Sequence, residues 1–385
     1  MIRELITRST LGTTLLGAGP MSQNVIYAIN NLAKKTTKPI MMIASRRQID
    51  SESSCGSSGY VDRFSTEQFG NLKENSQFSN NIILCRDHGG PYQGALKATS
   101  YDEELKLTLN SFKADMDNNF RIIHIDTSVD IDSEINFELG IHRLLNIFGE
   151  LDEYRKQKGY DIEFEIGAEE QSVTSADPER FEFFLSEVSK FTNKNNIDMP
   201  LFCVLQIGTK VLEDKNIGTF KSMIRVGSEV PIQIYLPKYL DICKRYGVLI
   251  KAHNNDYLDD SSIAALPILG IHAANIAPEF AVIENRLLMP GITLLPHDLY
   301  IAMSSDFELY PYWKKWVQNP YVEIEMNRKF ELSAHYYQKK SWYKSLVELM
   351  AKRENLSNQD FNNVLQSSIQ NNIYRYMKNF NYDFK

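Results

Sequence analysis

With 385 residues, 24% of them charged, and a net charge of -7, the chain is long enough to bury a full core and lacks the basic excess that binds nucleic acid or anionic membranes. No apolar stretch reaches the roughly 20 residues needed to cross a bilayer, and residues 1–10 carry Arg3, Glu4 and Arg8 with no signal-peptide core behind them, so a cytoplasmic protein is expected. The four cysteines, Cys55, Cys85, Cys203 and Cys243, fall at scattered spacings that imply neither a disulfide framework nor a zinc knuckle.

Short β-branched runs alternate along the chain with longer segments of helical period, the pattern of βα units around a parallel sheet. Residues 13–16 read as the first strand and turn through Gly17-Ala18-Gly19-Pro20 into a helical stretch at 23–34. That turn only superficially resembles a dinucleotide loop: a proline follows the second glycine, and no third glycine stands at the right offset. The second strand, 39–44, ends in Ser45-Arg46-Arg47-Gln48, whose guanidinium groups could grip a phosphate or simply face solvent. The third, 81–85, runs into Asp87-His88-Gly89-Gly90-Pro91, which aims an acid and an imidazole at one point beyond the strand. A helix at 101–118 leads to strand 121–125 with Asp126 at its tip, and a helix at 135–156 leads to strand 161–165. Glu163 and Glu165 share a face of that strand by the two-residue repeat, and Glu169 and Glu170 follow on the loop. After a helix at 178–193, strand 200–205 is tipped by Gln206; after a helix at 236–246, strand 248–252 is tipped by His253. Residues 267–271 are taken as the eighth strand, with Asn275 beyond it.

Eight such runs fit an α/β chain folded as a (β/α)8 TIM barrel over residues 1–293, with reactive groups at the C-terminal strand ends. Residues 294–385, rich in Tyr, Trp, Lys and Asn and without a further strand, are expected to form a helical C-terminal extension packed on the barrel. Within it, His335 to Tyr343 interleaves aromatic and lysine residues, as an amphipathic helix with its aromatic face on the barrel would.

The polar tips predict a metal site, because divalent cations suited to Lewis-acid work accept imidazole nitrogen and carboxylate oxygen converging from separate strands. His88, Glu165 and His253 supply that mixture, and Asp87 beside His88 is placed to move a proton. Taken singly, each histidine has a structural reading as a hydrogen-bonded strand-end residue; the argument rests on their equivalent positions.

The order of Asp87-His88-Gly89-Gly90-Pro91, Ile122-Ile123-His124-Ile125-Asp126, Ile162-Glu163-Phe164-Glu165-Ile166-Gly167 and Ala252-His253-Asn254-Asn255-Asp256-Tyr257 resembles the tagatose-bisphosphate aldolase accessory-subunit family, a non-catalytic, Z-type subunit related to class II metal-dependent ketose-bisphosphate aldolases. The resemblance runs from about residue 13 to 284. It implies Asp87 as the proton-transfer acid and His88, Glu165 and His253 as ligands of a divalent ion such as Zn, Mn, Co or Ni, and Glu163, on the same strand face as Glu165, is read as a second catalytic residue. Gln206 stands where an active aldolase offers a further histidine ligand. Arg46, Arg47, Gln48, Asp126, Asp256 and Asn275 are read as substrate contacts: Asn275 matches the family's substrate-binding asparagine and Gln48 its glutamine, whereas Arg46 and Arg47 depart from the family pattern and suggest an altered anionic substrate. The function implied is catalysis on a phosphorylated ketose through an enediolate, foremost as an epimerase inverting C4 by retro-aldol cleavage and re-addition, or C3 by deprotonation beside the carbonyl. An aldolase, a sugar-phosphate isomerase and a non-catalytic subunit that stabilises an aldolase partner are the alternatives. A homo-oligomer or a complex with an aldolase catalytic subunit fits either reading.

Overall fold

The computed structural model describes residues 1–130, 136–167, 177–220 and 232–385. Eight parallel strands close into a barrel: β1 (Leu15–Ala18), β2 (Ile40–Ser45), β3 (Ile82–Gly89), β4 (Phe120–Asp126), β5 (Glu163–Gly167), β6 (Phe202–Leu205), β9 (Leu249–Ala252) and β10 (Ala273–Ile276), with β10 pairing back to β1. A small antiparallel hairpin, β7 (Val211–Leu212) and β8 (Lys215–Asn216), is inserted after β6. The chain is thus a TIM barrel, with strands buried as near-continuous apolar runs because helices cover them outside and side chains fill them inside.

The eighth strand differs from the sequence expectation. Residues 267–268 end a helix, Asp260–Ile268, and the strand is Ala273–Ile276. Asp259 caps that helix by accepting from the Ser262 amide, and Gly270, at φ 80°, turns the chain into the strand. A short apolar run such as 266–269 has no period long enough to separate strand from buried helix, and this one is the final turn of a helix.

Segments remote in sequence pack at both ends of the barrel. At the N-terminal end of the strands, helix Ile2–Ser9 lies across the opening: the Ile2 amide donates to Asp161, and Arg3 grips both oxygens of Glu163 and the Met199 carbonyl. At the C-terminal end, the mouth, the segment from Leu288 to Leu365 packs its own apolar cluster around Phe307, Trp313, Phe330, Tyr337 and Trp342. Its residues dock on the loops after β1 and β2, where Gln338 donates to the Met21 carbonyl and Lys339 to the Gly59 carbonyl. On the other side Arg328 and Arg286 bind Glu213 and Asp214 of the hairpin. His335 to Tyr343 is a 3-10 turn, Ala334–Tyr337, followed by the start of helix Ser341–Arg353. The last helix, Asn358–Asn379, runs back down the barrel, and Ile369, Ile373, Tyr376, Met377 and Phe380 belong to the barrel's own core. Tyr382 then bonds the Leu16 amide and the Pro39 carbonyl, tying β1 to the start of β2.

Candidate metal centre

Four inward side chains from four strands converge beneath the mouth: Asp87 (β3), His124 (β4), Glu165 (β5) and His253, which follows β9. Register explains the meeting. His124 stands opposite Glu165 in the β4–β5 ladder, and Ser45 stands opposite Asp87 in β2–β3, so the ladder fixes each donor's depth.

All four side chains are buried, and one ligand atom from each lies within 4.8 Å of the others. His124 Nδ1 is 3.5 Å from Glu165 Oε1 and 3.6 Å from Asp87 Oδ1, while His253 Nε2 is 3.7 Å from Asp87 Oδ1 and 3.8 Å from Glu165 Oε1. These spacings are too long for good hydrogen bonds. They suit donors sharing one cation, since ligands bound at about 2.1 Å in a tetrahedron lie about 3.4 Å apart. Glu165 Oε1 is buried with no hydrogen-bond partner among the described residues, an arrangement costing roughly 1–3 kcal/mol unless something else satisfies it, while His124 Nδ1, the ring atom facing the two carboxylates, accepts the His88 amide at 3.3 Å. Imidazole nitrogen mixed with carboxylate oxygen is the donor chemistry of a borderline divalent ion. The residues present therefore fit a divalent metal.

The electrostatics are shaped by burial and by one lysine. Lys251, on β9 two residues before His253, places Nζ 2.7 Å from Glu165 Oε2, with both side chains wholly buried. Burial raises the carboxyl of Glu165, but the charges of Lys251 and His124 outweigh it and hold the group down at about 2. Burial likewise opposes ionisation of Asp87, yet His88, His124 and His253 keep it well below the usual carboxylate range. His124 is moved the other way: burial disfavours its charge, and Glu165 and Asp87 raise it above its ordinary value.

His88 stands apart from the four. Its backbone has φ 43°, and the β3–β4 ladder shifts register between Arg86 and Gly89, a bulge that re-aims the ring. Its Nδ1 lies 2.7 Å from Asp126 Oδ2, its ring is 31% exposed toward the mouth, and its centroid is 5.0 Å from that of His253. Asp126 is fixed in turn by Gln93, Ser128 and the Ser128 amide, and the His88 ring holds its carboxyl low despite burial. Asn275 donates to Asp87 Oδ1 at 3.1 Å. It fits because Gly17 is beside it: a Cβ there would come within 2.2 Å of Asn275 Oδ1.

Several sequence expectations lie elsewhere. Glu163 faces inward as expected but one layer deeper, about 7 Å down the strand, where Arg3 neutralises it at the closed end away from the donors. Arg46 is 1% exposed and spent within the protein on Asp50, the Gly90 carbonyl and Glu104, so it is not free for phosphate. Gln48 holds its own turn through the Ser45 amide and touches the Met21 sulfur. Arg47, in contrast, is exposed just past the mouth end of β2. Gln206, one residue past β6, is half-buried and outside the four-donor group. Asp256 caps the helix Pro278–Leu288, accepting from the amides of Ala277 and Glu279. Burial and the neighbouring Glu279 push its carboxyl up to about 8. Glu169 and Glu170 fall outside the described residues. Missing from the sequence reading as site residues were His124 and Lys251. Both were detectable: a titratable residue inside an apolar strand, two positions before a polar tip, must share that tip's inward face.

The structure of a probable tagatose 6-phosphate kinase from Sinorhizobium meliloti 1021 matches with a TM-score of 0.69 at 15% sequence identity, over 95% of this chain and 100% of that one. Fructuronate-tagaturonate epimerase from Cohnella laeviribosi, complexed with glycerol, matches with a TM-score of 0.56 at 13% identity, over 96% of this chain and 82% of that one. No protein-family model and no curated protein sequence matches the chain. At these identities the likeness is one of fold, and that fold is the one implied by the resemblance to the tagatose-bisphosphate aldolase accessory-subunit family.

Proposed function

We propose that the protein is a divalent-metal-dependent enzyme that epimerises a ketose, with a ketose phosphate as the first candidate substrate, through an enediolate. The observation that carries this reading is the four-donor group of Asp87, His124, Glu165 and His253, spaced for one cation and holding a buried carboxylate oxygen, Glu165 Oε1, with no hydrogen-bond partner among the described residues. An ion bound there supplies Lewis-acid polarisation of a carbonyl. Around it, His88 is the proton-moving group, because its ring faces the mouth and Asp126 fixes the orientation of the imidazole. Asp87 is a donor in this reading, and Asn275 orients it. The roles drawn from the family resemblance for Asp87 and His88 are thereby exchanged.

The exposed Arg47 supplies a cation for an anionic end of the substrate. Fold neighbours named for tagatose 6-phosphate and for fructuronate and tagaturonate support an anionic six-carbon ketose as the class to test. The completeness of the donor set favours catalysis over a purely stabilising subunit.

Elemental analysis of protein purified without chelators, followed by proton NMR of fructose and tagatose phosphates, fructose 1,6-bisphosphate and fructuronate, tests the proposal. Metal in a 1:1 ratio with a new ketose signal is expected. Triose phosphates would mark an aldolase, an aldose phosphate an isomerase, and absence of both metal and turnover would return the protein to the accessory-subunit reading.

A further inference from the structure

Lys251 is a charge inside the barrel for which the proposed chemistry has not yet assigned a task. Lys251 lies on β9 two residues before His253, which directly follows the strand, so both point inward with Lys251 one layer deeper. Its ammonium, 0% exposed, bonds Glu165 Oε2 at 2.7 Å, while Glu165 Oε1 faces His124 and His253 and has no hydrogen-bond partner among the described residues. The two oxygens of one carboxylate are therefore divided between a fixed cation below and the donor group above.

Two ordinary roles fit poorly. A buried ion pair is a weak stabiliser, because apolar residues of the same volume usually serve as well or better. A Schiff-base lysine must meet a carbonyl, and this amine is wholly buried, clamped by Glu165, and beneath the donors instead of facing the mouth. What the arrangement does provide is a permanent positive charge one carboxylate away from the place a metal would occupy.

We infer that Lys251 is a positioning residue that restricts Glu165 to donating a single oxygen and, by its charge, lowers the affinity of the centre for its ion while preserving that ion's Lewis acidity. The inference rests on the metal reading proposed above. Its consequence has an unusual sign: removing Lys251 tightens metal binding and slows turnover, because Glu165 is released to offer both oxygens and its negative charge is no longer offset. A lysine that merely propped up the core would do the opposite, since a loosened Glu165 would hold the ion less well.

Titration of the full chain with Co2+ separates these cases, with visible absorption reporting coordination number and a competing chelator reporting affinity. In Lys251→Met, Co2+ should bind at least tenfold more tightly, with weaker visible absorption as the coordination number rises. In Lys251→Gln, whose amide still donates to Glu165 without a charge, binding should tighten while the wild-type spectrum is kept; this variant decides the charge effect if Lys251→Met does not fold. Unchanged or weaker binding in the folded variants overturns the inference. Failure of the wild-type chain to bind Co2+ is a separate outcome that removes the metal reading itself.

Discussion

Replacing Asp256 with asparagine should abolish a loss of stability that the wild-type protein suffers as pH rises past neutrality. Asp256 is 3% exposed, and its Oδ1 accepts from the amides of Ala277 and Glu279 at 2.9 and 3.0 Å. Burial and the Glu279 carboxylate raise its pKa from the ordinary 3.8 to about 8. The folded state thus keeps a proton that the unfolded chain releases. The stabilisation is complete below the unfolded value and decays as pH climbs through the folded one, at about 1.4 kcal/mol per pH unit. From pH 6 to 8 this one group costs the wild type roughly 2–3 kcal/mol, before the decline levels off. Asparagine has the shape of the protonated acid, can accept the same two amide hydrogens, and does not titrate. Urea unfolding of both proteins at pH 6, 7, 8 and 9 in chelating buffer would give curves whose separation, already present at pH 6, widens by that amount at pH 8. Parallel curves would show that Asp256 ionises normally and that its contact with Glu279 carries no proton.

Other sites give equally direct tests. Arg86 is 0% exposed and spends its guanidinium on Asp115, Thr66 and the carbonyls of Ala44 and Ile49; Arg86→Met, which strands the buried Asp115, should cost about 3–5 kcal/mol in denaturant unfolding. Adding Asp115→Leu should recover part of that loss, and a double variant no better than the single would refute the ion-pair account. Arg3→Ala should lower the unfolding temperature by exposing the need of Glu163 for a partner, with metal content untouched because that pair lies at the closed end; loss of metal would return Glu163 to the centre. Gly167→Ala would put a Cβ 2.9 Å from His124 Nε2, so overpacking of about 1–3 kcal/mol should appear together with weaker metal binding, and a variant binding metal normally would remove His124 from the donors.

The barrel was legible because short continuous apolar runs alternating with helical periods leave few other architectures, and the polar tips lie at one end of it. What the tips could not give was depth. His124 and Lys251 lie inside strands, and only the ladder register, His124 against Glu165 and Lys251 against Ala273, shows which layer each occupies. Glu163 was read on the right face, but its partner Arg3 comes from a helix at the far end of the chain, and no local pattern announces that pairing. Arg46 looked like a ligand-binding guanidinium because its partners, Asp50, the Gly90 carbonyl and Glu104, assemble only when β2, β3 and the helix Tyr101–Asp117 come together. The eighth strand was displaced because a proline-containing apolar run reads the same in a helix's last turn as in a strand.

The path of the last helix also sets an order of events during synthesis. Phe380 accepts from the Thr14 amide, Phe384 bridges Thr36, and the Lys385 amide reaches the Lys35 carbonyl, so the first βα unit receives its final bolts from residues translated long after it. At roughly 5–20 residues per second, β1 and β2 wait for many seconds on the ribosome with their closing contacts unmade. Those contacts therefore form only after the last helix has been made, and cutting the polypeptide just after the helix Ser341–Arg353 should cost more than the missing length suggests. A circular permutant that begins at Asn358 and enters β1 through a short linker would supply those contacts first, turning a late, chaperone-exposed step into an early local one.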